Sequence, residues 1–399
     1  MGKMSSVDST LAPTIGRRAM AFLAGLSLAG ILAGSAAPTP LYRLYQESWA
    51  LSPLTLTLIF SIYAITLLLS LLTVGSLSDY VGRRPMISAG LLLSAVSMVL
   101  FIEADSAGWL IAARAVQGVA TGALTSTLGA TLLDCNREKG PMMNSLMPFF
   151  GMAAGALGSS ILVTFAPAPM QFVYIVMLVL FLVLAAAVWQ MPETASPTTG
   201  AWKSLKPHVA VPQQARRPLL LISPVNIAAW ALGGFYLSLM PSLFRVATGL
   251  TSPLLGGSVV AVLTLCGAAA VLIARGWPAR RTLIVGTATL IPGVAVTLSG
   301  VYLQLAPLLL IGTMAAGFGM GSSFFGASRK VMPLAEMHER AGLLAAFYVE
   351  SYLAFSLPVI LIGVAAPHLG LPVASYVYGV TLMVLAAISL LATLLARKN

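Results

Sequence analysis

Acidic residues are the scarcest class in this chain: 11 Asp and Glu stand against 22 Lys and Arg in 399 residues, and charged residues of both signs make up only 8%. Soluble domains carry roughly 25% charge, so a water-soluble globule of this length is excluded. Cysteine is almost missing, with Cys135 and Cys266 the only two. On the topology below one lies in a loop and the other mid-span, which argues against a disulfide. The three histidines, His208, His338 and His368, fall in loops, and no HExxH or similar spacing offers a zinc site. No G-x-x-x-x-G-K-[ST] loop occurs either, which argues against direct use of ATP. No cofactor is expected.

What the chain has instead is apolar length: 58% of residues are hydrophobic, with a mean hydropathy of +0.94. Apolar runs between Pro, Gly and charged breakers predict an all-α membrane protein of twelve transmembrane helices near 18–38, 54–74, 86–102, 108–132, 143–165, 171–190, 218–241, 254–274, 283–302, 306–327, 342–366 and 371–395. An even number puts both termini on one side. With that side cytoplasmic, every Lys and Arg falls inside except Arg43 and Arg245 outside and Arg114 within a span. A miscounted span would mix the two sides, so the clean segregation sets both count and orientation. The net charge of +11 is thus a topology signal rather than a nucleic-acid footprint, because no solvated basic face exists to carry one. The localisation expected is a bacterial inner membrane.

The first span also reads as a cleavable signal peptide, since Arg17 and Arg18, an apolar run and Ser35-Ala36-Ala37 follow in that order. Its length favours a retained helix. Residues 191–217 form the one long polar stretch and divide the spans six and six. The expected units are a cytoplasmic tail 1–17, a six-helix bundle 18–190, a linker 191–217, a second bundle 218–395 and a tail 396–399. The bundles echo each other: Pro40-Leu-Tyr-Arg43 with Ser52-Pro53-Leu54 returns as Pro241-Ser-Leu-Phe-Arg245 with Ser252-Pro253-Leu254, 200 residues later. Such a parallel repeat about an axis along the membrane normal is a known transporter plan.

The loop after the second span reads Gly75-Ser-Leu-Ser-Asp79-Tyr-Val-Gly82-Arg83-Arg84-Pro85. Gly75 would let a neighbouring helix approach closely, Gly82 permits a positive-φ turn, and Arg83 and Arg84 suit the headgroup level. This G-x-L-x-D-x-x-G-R-R pattern resembles the signature loop of the major facilitator superfamily. The resemblance implies a cytoplasmic latch between the halves that holds the outward-facing state closed, with Asp79 facing the start of span eleven near Gly342 and Arg83 pairing with Asp134. The second-half counterpart, Gly276-Trp-Pro-Ala-Arg280-Arg281, lacks the aspartate.

Span four carries Arg114-Ala-Val-Gln117-Gly118, similar to the superfamily's R-x-x-Q-G pattern. Arg114 lies about 9 Å deep at 1.5 Å per residue. Two readings stay open for it: a functional charge facing protein or water, or an arginine that snorkels to the surface and staples helices. Glu350 lies about 12 Å into span eleven and is the only acid well inside any span. A carboxyl there can exchange a proton when water reaches it from alternating sides, or it stays protonated on Tyr348 or Ser351 and serves packing alone. Span five, Gly151-Met-Ala-Ala-Gly155-Ala-Leu-Gly158, is a partial echo of the glycine motif of drug/proton antiporters in the superfamily. It lacks the proline after its central glycine and suits close helix packing.

The resembled fold lines its cavity with spans one, four, seven and ten, which makes Ser35, Thr39, Gln117, Asn226, Trp230, Tyr236, Ser322 and Ser323 candidate substrate contacts, each also readable as an interhelical hydrogen bond. The function expected is proton-coupled efflux of a small amphiphilic or weakly charged compound by alternating access. Glu350 and Arg114 are then the proton-coupling candidates, and Gly75, Asp79, Gly82, Arg83, Arg84 and Asp134 the gate. Nutrient import and a non-transporting membrane sensor are the alternatives. The partners expected are a small-molecule substrate, protons and the lipid bilayer, with the protein a monomer.

Overall fold

The computed structural model describes residues 15–336 and 338–395. The tail predicted at 396–399, and residues 1–14 of the one predicted at 1–17, lie outside it. Twelve helices of 20 or more residues follow one another: α1 (Arg17–Ala36), α2 (Pro53–Val74), α3 (Arg83–Ile102), α4 (Ala107–Cys135), α5 (Gly140–Phe165), α6 (Pro169–Val188), α7 (Gln213–Ser238), α8 (Pro253–Ala274), α9 (Ala279–Tyr302), α10 (Ala306–Val331), α11 (Arg340–Leu369) and α12 (Leu371–Leu395). Eleven of them are long and apolar enough to cross a membrane. The other is α4, whose 29 residues are diluted by Arg114, Gln117 and four threonines. Those threonines cost the helix little, because Thr121, Thr125, Thr127 and Thr131 each donate to the carbonyl four residues back, at 2.7–2.8 Å.

Proline and serine set the starts. Ser52 accepts from Thr55 N at 3.1 Å, and Pro53 takes the first helical position, where its missing N–H costs nothing. Pro253 likewise takes the first position of α8 after Ser252, which makes no cap bond. Before each of these starts lies a short helix, Tyr42–Trp49 and Met240–Thr248, ended by left-handed Ala50 and Gly249 respectively. The internal repeat read from the sequence is therefore a repeat of structure. The boundaries agree with the predicted spans to within four residues except one: α7 begins at Gln213 rather than at residue 218, running through Pro218 and Pro224. A proline removes a single backbone bond, which a packed membrane helix accommodates.

Helices α1–α6 pack chiefly on one another, as do α7–α12, and the two groups meet along α2 with α11 and α5 with α8. Small residues allow the closest approaches. Any side chain at Gly151 or Gly155 would collide with the α1 backbone at Ala29 or Ala33, and one at Gly118 or Gly122 with α2. At Gly75 no neighbouring helix comes as close, with Ser126 on α4 at an ordinary 3.7 Å from a Cβ there; such a Cβ would instead strike Leu71 O at the end of α2 itself. The face holding the loops 75–82, 136–139 and 275–278 is termed the basic face, and the one holding the two short helices the far face.

Candidate functional site

On the basic face, Gly82 adopts φ +102° and turns the chain into α3. Arg83 is buried beside it. Its guanidinium pairs with Asp79 at 2.6 Å and Asp134 at 3.3 Å and donates to Ser78 at 2.6 Å. The expected Arg83–Asp134 pair is thus present. The expected contact between Asp79 and Gly342 is not: Asp79 is half exposed, and Gly342 has His208 and Ala210 of the linker beside it. A further residue completes the arrangement. Glu193 accepts from the backbone N–H groups of Arg83 (2.7 Å) and Arg84 (3.0 Å), capping α3 with a carboxylate where the helix dipole favours one. Thr194 donates to Asp134 at 2.9 Å. Arg84 donates to Trp189 O at 2.7 Å and lies over its ring. Glu193 sits 110 residues from Arg83, with no spacing signal that could have joined them.

Arg114 is 1% exposed, so the snorkelling reading fails. Nη1 donates to Ser35 O at 2.9 Å and Gln117 Oε1 at 2.7 Å, while Nε and Nη2 both reach Tyr42 Oη. Gln117 returns to Gly34 O at 2.9 Å. The rings of Tyr63, Tyr42 and Phe101 surround the cation at 5.2–5.9 Å. No acid pairs with it among the described residues; neutral acceptors and π faces hold the charge.

Glu350 is half-buried on α11 and faces α7. Ser223 Oγ lies 2.5 Å from its Oε2, and Asn226 Nδ2 donates to its Oε1 at 2.8 Å and to Ser351 at 3.0 Å. Its partners are therefore Ser223 and Asn226 rather than Tyr348 or Ser351. Ser223 was not among the sequence candidates, although its spacing of three from Asn226 puts both on one helix face. An aromatic wall adjoins this cluster. Trp230 on α7 meets Tyr352 (4.9 Å), Phe324 (5.6 Å) and Phe355 (5.9 Å), and Phe355 meets Phe60 on α2 at 5.0 Å. Tyr63, one turn beyond Phe60, carries the wall to Arg114.

The other cavity candidates divide. Thr39 is buried and ties the two groups of helices together by donating to Leu237 O at 2.8 Å. Ser35 donates within α1 to Leu32 O. Tyr236 is locked inside the second group against Thr313 at 2.9 Å. Ser322 and Ser323 have no exposed surface and press on α9 at Gly286, so they are packing residues rather than cavity residues. On the far face the groups are joined three times, by the Thr39 bond, by Arg43 to Thr251 O (2.6 Å) and by Arg245 to Glu47 (3.2 Å). Among the described residues, no side-chain hydrogen bond or ion pair joins them directly at the basic face; only the linker bridges there, through Thr198 N to Tyr80 O and Ala210 N to Gly342 O.

The family model described as Major Facilitator Superfamily matches residues 19–347. The chain belongs to the major facilitator superfamily. It is thus a multi-pass membrane protein of a transporter family, not an enzyme. A curated relative, the inner membrane transport protein YajR of Escherichia coli (strain K12), is 35% identical over 94 residues; that stretch is 24% of this chain and spans a fifth, 20%, of the relative's length. Among solved structures, a bacterial homolog of the human lysosomal transporter Spinster, in an inward-facing and unoccupied conformation, matches with a TM-score of 0.73 at 13% identity, over 94% of this chain and 97% of that one. The likeness is one of fold.

Proposed function

We propose that this superfamily member is a twelve-span, proton-coupled exporter of small amphiphilic compounds, built as two six-helix halves with both termini in the cytoplasm. The carrying observation is the proton arithmetic at Glu350. Ser223 Oγ lies within bonding distance of two acceptors, Leu219 O at 3.0 Å and Glu350 Oε2 at 2.5 Å, yet a hydroxyl has one proton to donate. With Glu350 ionised, Ser223 turns to the carboxylate. With Glu350 protonated, the acid donates to Ser223, which in turn serves Leu219. Both states are satisfied without moving a helix, which suits a group that loads and unloads protons. No cation pairs with Glu350 among the described residues. The wall around Trp230 suits the apolar body of a substrate.

Arg114 acts in this reading as a fixed positive charge at the end of that wall, since its donors are already engaged. The far-face ties favour the inward-facing state, in which the family's latch would be open; the exposed Asp79 agrees with that. Import by symport or uniport is the competing reading. Purified protein in proteoliposomes with an internal pH-sensitive dye tests it: substrate-triggered proton movement, absent in Glu350→Gln, is expected. Coupled movement that survives the substitution moves the proton site elsewhere, and substrate flux without proton movement makes the protein a uniporter.

A further inference from the structure

The two groups of helices treat their equivalent arginine pairs in opposite ways. At the start of α3, Arg83 and Arg84 are met by Asp79, Asp134 and Glu193. At the start of α9, Arg280 and Arg281 meet no acid among the described residues. Arg280 reaches the carbonyls of Thr393 (3.1 Å) and Leu394 (3.3 Å) at the end of α12, much as Arg84 reaches Trp189 O at the end of α6. Arg281 lies 4.7 Å from the ring of Trp277, as Arg84 lies 5.1 Å from that of Trp189. The framework is repeated, but the charges are not. Where α4 ends with Asp134, α10 ends with Arg329 and Lys330. Where Glu193 caps α3, Pro278 precedes α9 and no side chain caps it.

Arg329 is held over the loop by Trp277 O at 2.9 Å and Arg275 O at 3.5 Å, and Lys330 follows it in the last turn of α10. Arg275 and Arg281 are exposed beside them. Carbonyls satisfy donors but cancel no net charge. From residue 218 onward the only acids are Glu336, Glu339 and Glu350. Glu336 and Glu339 are engaged with His338 and Gln214, and Glu350 with α7. Five cations and a half-buried tryptophan therefore share one corner at the rim of the helices, the level at which tryptophan rings and lipid headgroups meet. Basic pockets between membrane helices recognise anionic headgroups by this chemistry.

We propose that Arg275, Arg280, Arg281, Arg329 and Lys330 bind the phosphate of an anionic phospholipid headgroup, which supplies from the membrane the negative charge that Asp134 and Glu193 supply within the chain at α3. The open N–H groups at the first turn of α9 add donors for the same phosphate. A bound headgroup would fasten α9, α10 and α12 together at the basic face.

The test uses the full-length protein in detergent with phosphatidylglycerol, phosphatidylcholine or inorganic phosphate added, reading bound lipid by native mass spectrometry together with the unfolding midpoint. Phosphatidylglycerol is expected to be retained over phosphatidylcholine and to raise the midpoint. Arg281→Gln and Lys330→Gln should each weaken that retention roughly fivefold, while Arg216→Gln in the first turn of α7 changes nothing. Lys330→Asp sets an acid beside Arg280, as Asp134 stands beside Arg83, and should erase the preference while keeping the midpoint seen with phosphatidylcholine. If Lys330→Asp does not fold, the exposed Arg281 decides. Equal retention of the two lipids, or retention indifferent to Arg281→Gln and Lys330→Gln, overturns the proposal. An equal gain from inorganic phosphate overturns the lipid as the source of the anion.

Discussion

The carboxylate of Glu193 fills the space that a side chain on Gly82 would need, with Oε2 2.8 Å from where a Cβ would stand. Gly82 is thus required twice, once for its φ of +102° and once for the room it leaves. A single residue links the end of α6 to the start of α3 and, through Thr194, to Asp134.

Gly82→Ala is expected to destabilise the protein by about 1–3 kcal/mol from the backbone conformation alone, and to expel Glu193. Because the cap is then already lost, Glu193→Ala should cost about 1 kcal/mol in the native background and much less in Gly82→Ala. Unfolding midpoints of the two single variants and the double variant measure this coupling; additive losses would mean that the two residues act separately.

Arg114→Lys should be far from conservative. An ammonium cannot reach Tyr42, Ser35 and Gln117 from one planar fork, so buried acceptors are left unpaired at about 1–3 kcal/mol each. A clear fall in the unfolding midpoint is expected, and an unchanged midpoint would show that the cluster carries little of the fold's stability.

Glu47 joins Arg43 at 2.8 Å and Arg245 at 3.2 Å, and the second of these pairs closes the far face between the two halves. Exposed pairs contribute about 0.2–1 kcal/mol, so Glu47→Gln should shift the balance towards far-side opening by a factor of about 1.4 to 5. A cysteine placed at the buried Ala37, beside these ties, and labelled with an impermeant maleimide from that side should react correspondingly faster. Unaltered labelling would mean that Thr39 and Arg43 hold the face closed by themselves.

Asn226→Ala removes a donor to Glu350 but leaves Ser223 in place. If the carboxylate carries the proton, substrate-triggered proton movement should fall in Asn226→Ala, because the carboxylate loses one of its two donors. Proteoliposomes with an internal pH-sensitive dye, holding Asn226→Ala or the parent chain, measure it. Unchanged proton movement separates Asn226 from the coupling site.

The sequence alone determined the architecture, because hydrophobic length is local chemistry: a run such as α6 has little stable choice in a bilayer except a helix, and Ser-Pro pairs and glycines mark its ends. The resemblance of its loop to the superfamily's signature also implied the pair of Arg83 with Asp134. The sequence singled out Asn226 and Glu350, but not the bond between them. Which residues meet across 70 or more positions was decided only by the packing of helices. Glu193 on α3, Ser223 and Asn226 on Glu350, and Tyr42 on Arg114 are contacts between segments whose relative rotation no single-helix pattern encodes. Rotation also removed Ser322 and Ser323 from the cavity, because polar side chains on a membrane helix satisfy the period of a lining face and of a packed face equally well. The charge inversion between Asp134 and Lys330 was in the letters throughout, yet it took on meaning only when the two arginine pairs were found in matching frames.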